Sequence, residues 1–510
     1  MKRLCSPLLL GLALATGLVA QAPAAPAEDP YLWLEGVTDP KALDWVKARN
    51  ADALKELAAT PAFEALKADI LKVLDSTARI PFVSKEGGFY YNFWRDAKNP
   101  KGLWRRTTLA EYRKVEPRWD VILDLDALAA TEHESWVWKG AQILKAGGRR
   151  HVLIALSRGG ADATVTREFD LQTRTFVKDG FGLPEAKGGL SWIDKDTVYV
   201  STDFGPGSMT TSGYPRVTKR WKRGTPLASA EVVYEGKDTD MSISAHYDDT
   251  EGFERHFVRR SLAFYNGELF LRKADGSLAK VEVPNDATAT THREWLFIQP
   301  RTPWTVGGKT YPAGGLLATK FDAFMAGKRV FSVIFEPTAH RTLASFSATR
   351  HHLLLNLMDD VKSSLAVATP GKEGWSVRPL PGAPGMATAS ASAVDPEDSD
   401  DYFLTVSGYL TPASLHLGRV GQDHPEQLKS MPAFFDASGL EVSQHFATSK
   451  DGTKVPYFQV APKGLKLDGA NPTLLYGYGG FEISLTPGYN AGAGLAWLRK
   501  GGVYVVANIR

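Results

Sequence analysis

The stretch TLLYGYGGFEISLTPGYN, Thr473 to Asn490, decides how this chain is read. A short apolar strand, Thr473 to Leu475, runs into Tyr476-Gly477-Tyr478-Gly479-Gly480. Glycine marks places where backbone turns tightly or where another group comes close. On the residues alone, three readings arise and two stay open. A phosphate cradle would need G-x-G-x-x-G or a following Lys-Ser/Thr, and neither is present. A glycine-rich turn beside core aromatics fits the spacing. So does a strand end that presents a tyrosine hydroxyl, a neutral donor at physiological pH, to a developing oxyanion.

The surroundings favour an α/β setting. Pro472–Tyr476 and Val503–Ile509 are compact apolar runs of the kind buried on both faces, and Ala491–Lys500 (AGAGLAWLRK) between them reads as a short helix. Strand, helix and strand in that order predict a parallel sheet. Just upstream, Leu440–Thr448 and Lys454–Val460 alternate and flank the turn Ser449-Lys450-Asp451-Gly452. From about Ile80 to Met431 the chain is nearly all strand and turn. Candidates are Phe89–Trp94, His151–Ser157, Thr197–Thr202, Val330–Glu336, His352–Met358 and Tyr402–Ser407, with hairpin turns expected at Asn266-Gly267 and Asp275-Gly276. So many short strands exceed one sandwich, and radial repetition of small sheets, a β-propeller, solves the packing. Before them, Asp39-Pro40 and Thr60-Pro61 each offer a helix cap followed by proline at the first helical position. Phe63, Leu66, Ile70 and Leu74 then recur at helical spacing and are expected to form one buried stripe.

Composition limits the function classes. The net charge of +3 comes without any Lys- or Arg-rich block, which argues against nucleic acid or an acidic membrane surface as partner. Lys2 and Arg3 precede the apolar run Pro7–Ala20, and small-residue cleavage patterns follow at Ala20-Gln21-Ala22 and Ala25-Pro26-Ala27. That is the pattern of a secretory signal, so an exported protein, periplasmic or secreted and without stable membrane association after cleavage, is expected. The single cysteine, Cys5, lies before the apolar run, so disulfides, cysteine catalysis and cysteine-bound metal are excluded from the mature chain. No metal or cofactor is expected: His351 and His352 are adjacent and face opposite sides of a strand, H-E-x-x-H is absent, and Asp359-Asp360 and Glu397–Asp401 read as solvated loops. The nucleophile elbow G-x-S-x-G is also absent; its nearest miss, Gly374-Trp375-Ser376-Val377-Arg378, reads as an ordinary strand or turn.

An ordered set of motifs resembles prolyl oligopeptidase-family serine peptidases: DPYLWLE at Asp29–Glu35, SKDGTKVPYF at Ser449–Phe458, KGLKLDG at Lys463–Gly469, LLYGYGGFEISLTPGYN, and VYVVANIR at the end. The resemblance implies a seven-bladed β-propeller plus an α/β-hydrolase domain, with N-terminal helices packing back on the latter. The expected division is 1–27 signal peptide, 28–79 helical segment, 80–431 propeller and 432–510 the start of an incomplete hydrolase domain. It implies that Tyr478 supplies an oxyanion-hole donor and that Phe481 lines the substrate pocket. It also implies a serine-type oligopeptidase of the prolyl branch acting on short peptides, with no cofactor. The family's nucleophilic serine, aspartate and histidine lie C-terminal to the segment like VYVVANIR. None can therefore be assigned here, and the 510-residue chain is expected to be truncated and inactive alone. Two other readings remain at this point: a propeller-based binding protein with a vestigial hydrolase segment, and an exported peptidase or esterase of different specificity.

Overall fold

The computed structural model describes residues 29–509, so the signal-like segment 1–27 and Arg510 lie outside the described residues. The chain forms two compact units, one ending at Ala68 and the other running from Asp69. In the first, Asp39 caps the Pro40–Ala53 helix by accepting from the Lys41 N–H at 2.8 Å, and Trp33 meets Trp45 edge-on at 6.3 Å. Thr60 accepts from the Phe63 N–H at 3.2 Å and opens the Pro61–Leu74 helix, as its sequence predicts. The expected buried stripe does not form on that helix, because Phe63 stays 40% and Leu74 64% exposed.

From residue 84 to 430, seven antiparallel sheets follow one another, at 84–124, 136–186, 189–235, 242–280, 288–335, 341–379 and 387–430. Each has four strands in chain order. The second adds a short fifth strand, and the fifth carries a hairpin, Trp304–Val306 with Lys309–Tyr311, between its second and third strands. Side-chain packing makes the sheets a ring. Tyr91 and Trp104 of the first pack with Val152 and Phe169 of the second, and Leu153 of the second with Trp192 and Val198 of the third. The pattern continues through Tyr199 with Val258, Phe257 with Leu296, Phe297 with Leu355, and Leu354 with Leu404. Tyr90 of the first sheet with Phe403 and Leu415 of the seventh closes the circle.

This packing explains why the second strands read as unbroken apolar runs. Successive residues point to opposite faces. In Leu353–Asp359, Leu353, Leu355 and Leu357 therefore serve the seam with the fifth sheet while Leu354 serves the seam with the seventh. The seven-bladed propeller is the expected fold.

Four further strands form the last sheet, in spatial order Leu440–Thr448, Lys454–Pro462, Val503–Ala507, Thr473–Gly477. The last two pair in parallel, Thr473 opposite Val503 through Gly477 opposite Ala507, with the Ala491–Ala496 helix between them in the chain. Val503–Ala507 is a central strand with a neighbour on each side. Thr473–Gly477 is the edge strand, and it is not buried on both faces as its apolar run suggests: Leu475 is 68% exposed. Asp69 binds Arg499 at 3.1 Å and Val73 joins the core of this sheet.

One local expectation is corrected and one is refined. The hairpin expected at Asn266-Gly267 turns at Phe264-Tyr265 instead, and Asn266 already pairs with Ala263 in the ladder. Asp275-Gly276 does form a turn, with Gly276 at φ +84°. The acidic patch Glu397–Asp401 is the expected loop, running into a strand at Asp401, but three of its carboxylates are ion-paired rather than freely solvated. Glu397 meets Lys145, which also binds Asp249 at 2.7 Å, while Asp400 meets His351 at 2.8 Å and Asp401 meets Arg419 at 2.6 Å.

Between the second and third sheets, Glu168 has no exposed side-chain surface and accepts from Arg223 Nη1 at 2.8 Å, from the Phe181 N–H at 2.8 Å, and contacts His151 Nδ1 at 2.8 Å. Burial opposes its charge, but these partners outweigh burial and hold its pKa below the usual carboxylate value. A depressed carboxylate stabilises the fold above its unfolded pKa, and that stabilisation is lost as pH falls through the folded value. Glu168→Gln is therefore expected to cost about 3 kcal/mol at neutral pH. Urea unfolding as a function of pH should show the deficit shrinking as pH falls through that depressed pKa and the wild-type carboxylate is also neutralised. A deficit that stays constant through that fall contradicts the assignment.

Candidate active site

Each sheet of the ring begins and ends on one side, because its main ladder has an even number of strands. The chain enters the ring at Ser84 and leaves it at Ser430 toward the last sheet, so that side also carries the turns between second and third strands. The segment after Gly477 touches these turns. Phe481 lies 5.1 Å from Phe264 of the fourth sheet, Glu482 binds Arg301 of the fifth at 2.6 Å, and the Tyr489 N–H donates to Ser407 Oγ of the seventh at 3.1 Å. Gln444 of the last sheet donates to the Asp360 carbonyl of the sixth at 2.6 Å.

The structure answers what comes close to the glycines. A Cβ at Gly480 would sit 3.0 Å from the Tyr478 hydroxyl oxygen and 3.1 Å from its ring, so the missing side chain leaves room for the tyrosine that precedes it. Gly477 likewise faces Ile509 at 3.4 Å. Tyr478 thus stands where the Thr473–Gly477 strand ends, its hydroxyl over Gly480 and its side chain 38% exposed. Phe481 is 61% exposed and, with Glu482, takes a positive φ, at 55° and 56°. Left-handed backbone is unfavourable for such residues, and here the Phe264 and Arg301 contacts hold it.

Asn508, within VYVVANIR, fixes the next stretch. Its amide oxygen accepts from the Leu485 N–H at 2.7 Å and its amide nitrogen donates to the Leu485 carbonyl at 3.2 Å. Further on, the Phe434 N–H donates to the Tyr489 hydroxyl at 2.7 Å and the Phe435 and Tyr489 rings stack at 5.3 Å. Residues 478–490 are thus held without regular secondary structure. A cavity of about 180 Å³ opens beside Phe264, Tyr265 and Arg301, with the Arg301 guanidinium 3.8 Å from the Tyr265 ring.

Phe264, Tyr265, Arg301 and Asn508 escape a reading of the sequence for motifs. The one signal was an exposed aromatic pair at a hairpin tip, obscured by the Asn-Gly that follows it.

Among the described residues, two serines bond a histidine, Ser414 to His416 Nε2 at 2.9 Å and Ser443 to His445 Nε2 at 2.8 Å. Each pair is two apart on one strand, so it reflects same-face neighbours. The histidines that meet a carboxylate are others: His151, His340 and His351. No serine, histidine and carboxylate therefore form a relay among the described residues. Ser376 lies in the Gly374–Pro379 strand, its hydroxyl 3.4 Å from the Thr369 carbonyl, as an ordinary strand serine. No three His, Cys, Asp or Glu converge as a metal site among the described residues.

With this geometry in view, the similarities to known proteins are specific. A family model described as the prolyl oligopeptidase N-terminal beta-propeller domain matches residues 16–254. An uncharacterized peptidase of Sinorhizobium fredii is 39% identical over 494 residues, covering 95% of this chain and 68% of that relative. The chain belongs to the prolyl oligopeptidase family. A prolyl endopeptidase of Elizabethkingia meningoseptica is 27% identical over 94% of this chain and 65% of its own length. The structure of a post-proline cleaving enzyme from Rickettsia typhi matches with a TM-score of 0.86 and 30% identity, covering 94% of this chain and 71% of that one. This family of peptidases thus supplies the frame in which Tyr478 and Phe481 are read.

Replacing Asn508 by alanine removes both hydrogen bonds to Leu485. At about 1 kcal/mol each, their loss should speed amide exchange at 483–486 by roughly tenfold or more while the seven sheets are unchanged. Hydrogen–deuterium exchange read by mass spectrometry checks this, and unchanged protection at 483–486 contradicts it.

Proposed function

We propose that the chain forms the propeller and the oxyanion-donor part of an exported serine peptidase that cleaves short peptides after proline through an acyl-enzyme. The observation that carries the reading is the placement of Tyr478. Its hydroxyl sits at the end of a sheet strand, over a glycine that leaves room for it, in a loop held against the ring. A donor fixed this way stabilises charge only where it develops, on the carbonyl oxygen as a nucleophile adds. Phe481 with Phe264 supplies aromatic surface of the kind that encloses a proline ring. The names of the Elizabethkingia and Rickettsia relatives support that substrate class, and the charged-then-apolar opening at 2–20 supports export.

In this reading the attacking hydroxyl, its base and the orienting carboxylate are supplied by sequence outside these 510 residues. The hydroxyl adds to the carbonyl, its proton passes to the base, and Tyr478 donates to the resulting oxyanion. The base returns the proton to the leaving amine, and water then releases the acyl group by the same steps.

The test uses a chromogenic prolyl peptide and two proteins, the 510-residue chain and the product of the complete reading frame. The longer product is expected to turn over the substrate and to be silenced by a fluorophosphonate, while the 510-residue chain stays inert. In the longer product Tyr478→Phe should lower kcat by about 100-fold with little change in KM. Turnover by the 510-residue chain, or an undiminished kcat in Tyr478→Phe, overturns the reading.

A further inference from the structure

The seam between the first and seventh sheets has a hollow flank that the peptidase reading does not use. A cavity of about 730 Å³ is bounded by 77–81, where the chain enters the ring, and by 427–432, where it leaves. Its remaining wall comes from the first sheet and from the connection between its third and fourth strands, through Trp94, Arg105 and Trp119 among others. That volume lies in the range of small-molecule sites, roughly 300–1,000 Å³.

The polar side of the cavity is a layered stack. The Arg79 guanidinium lies 5.0 Å from the Trp94 ring, Arg105 lies 4.6 Å from Trp94, and Arg105 also lies 4.1 Å from Trp119. Neighbouring arginines have carboxylate partners: Arg106 binds Asp120 at 3.1 Å and Arg113 binds Glu426 at 2.9 Å. Arg105 has none among the described residues. Its Nε donates to Asn92 Oδ1 at 2.9 Å, and its terminal N–H groups have no protein partner there. Burial pushes its pKa down to about 10, with only the more distant charge of Asp96 opposing. Stacking on indoles offsets part of that desolvation and fixes the guanidinium plane, leaving its fork available for a planar or tetrahedral oxyanion. Arg79, Arg113 and Lys429 also line the cavity, against one acidic residue, Glu116. Ile80, Pro81, Leu428 and Met431 supply an apolar wall.

We propose that this cavity binds a small organic anion, a carboxylate or phosphate monoester with an apolar or aromatic body, whose charged end pairs with Arg105 and Arg79. The apolar wall takes the body of the ligand. Because the ligand bridges both connections to the ring, it holds them together and stabilises the closing seam.

The test is independent of peptidase activity and uses the 510-residue chain. Trp94 and Trp119 report occupancy through intrinsic fluorescence, and Trp119→Phe assigns the signal. Benzoate and phenyl phosphate carry charge with an aromatic body, inorganic phosphate carries charge alone, and benzyl alcohol carries the body alone. A saturable response to benzoate or phenyl phosphate is expected, at least about tenfold tighter than to the other two probes and accompanied by a raised Tm. The better of the two tells carboxylate from phosphate. Arg105→Gln should weaken binding about tenfold or more, and Arg79→Gln, whose fold is checked by thermal melting, should do so as well should the first variant not fold. No saturable response up to about 10 mM, equal affinity for benzyl alcohol, or wild-type affinity in a folded Arg79→Gln or Arg105→Gln overturns the proposal.

Discussion

Ring closure between the seventh and first sheets rests on side chains alone, because neither sheet borrows a strand from the other end of the chain. Every other seam joins sheets adjacent in sequence, so the polypeptide itself limits how far they can part. Here 84–124 must meet 387–430 with no such help. The contacts are correspondingly varied. Tyr90 meets Phe403 edge-on at 6.4 Å, Lys85 binds Asp395 at 2.6 Å, and Arg113 holds Glu426 with two nitrogens. The apolar contacts dominate energetically, since the Arg113 pair is largely exposed and such pairs contribute about 1 kcal/mol or less. Lys145 adds a tie across the ring, joining the second sheet to the fourth through Asp249 and to the seventh through Glu397.

A closed ring gives the last sheet a fixed floor. Turns from the fourth, fifth and seventh sheets project on the same side and meet the segment that follows Tyr478, while the turn of the sixth meets Gln444. The left-handed backbone at Phe481 and Glu482 persists because Phe264 and Arg301 approach from two different sheets. Site geometry therefore depends on the spacing between blades as well as on the strand that bears the tyrosine. The two connections at the closing seam stand at the other end of the same dependence.

Much of this was legible in the residues, and the failures have physical causes. The second strands of five sheets were found because burial on both faces makes them apolar runs, whereas Val330–Glu336 proves to be the fourth strand of the fifth sheet. The caps at Asp39 and Thr60 were found because their chemistry is local. The number of sheets came only from a resemblance, since irregular spacing hides the repeat and each seam joins residues far apart in sequence. Asn266-Gly267 misled because Asn-Gly is a strong turn signal, yet the ladder places the turn two residues earlier. The Thr473–Gly477 strand misled because an apolar run shows what could be buried, whereas exposure depends on which neighbours lie beside it. Tyr478 stood out as a candidate through its glycines, while Asn508 and Arg301 act by contacts that no local pattern announces.

The central claim is that Tyr478 is an oxyanion donor, and the most direct measurement is a distance. The product of the complete reading frame, crystallised with a prolyl peptide phosphonate or aldehyde forming a tetrahedral adduct, places an oxygen where the oxyanion develops. The account predicts the Tyr478 hydroxyl about 2.7–3.1 Å from that oxygen. A Tyr478 hydroxyl more than about 4 Å away, turned toward solvent with another donor in its place, contradicts it.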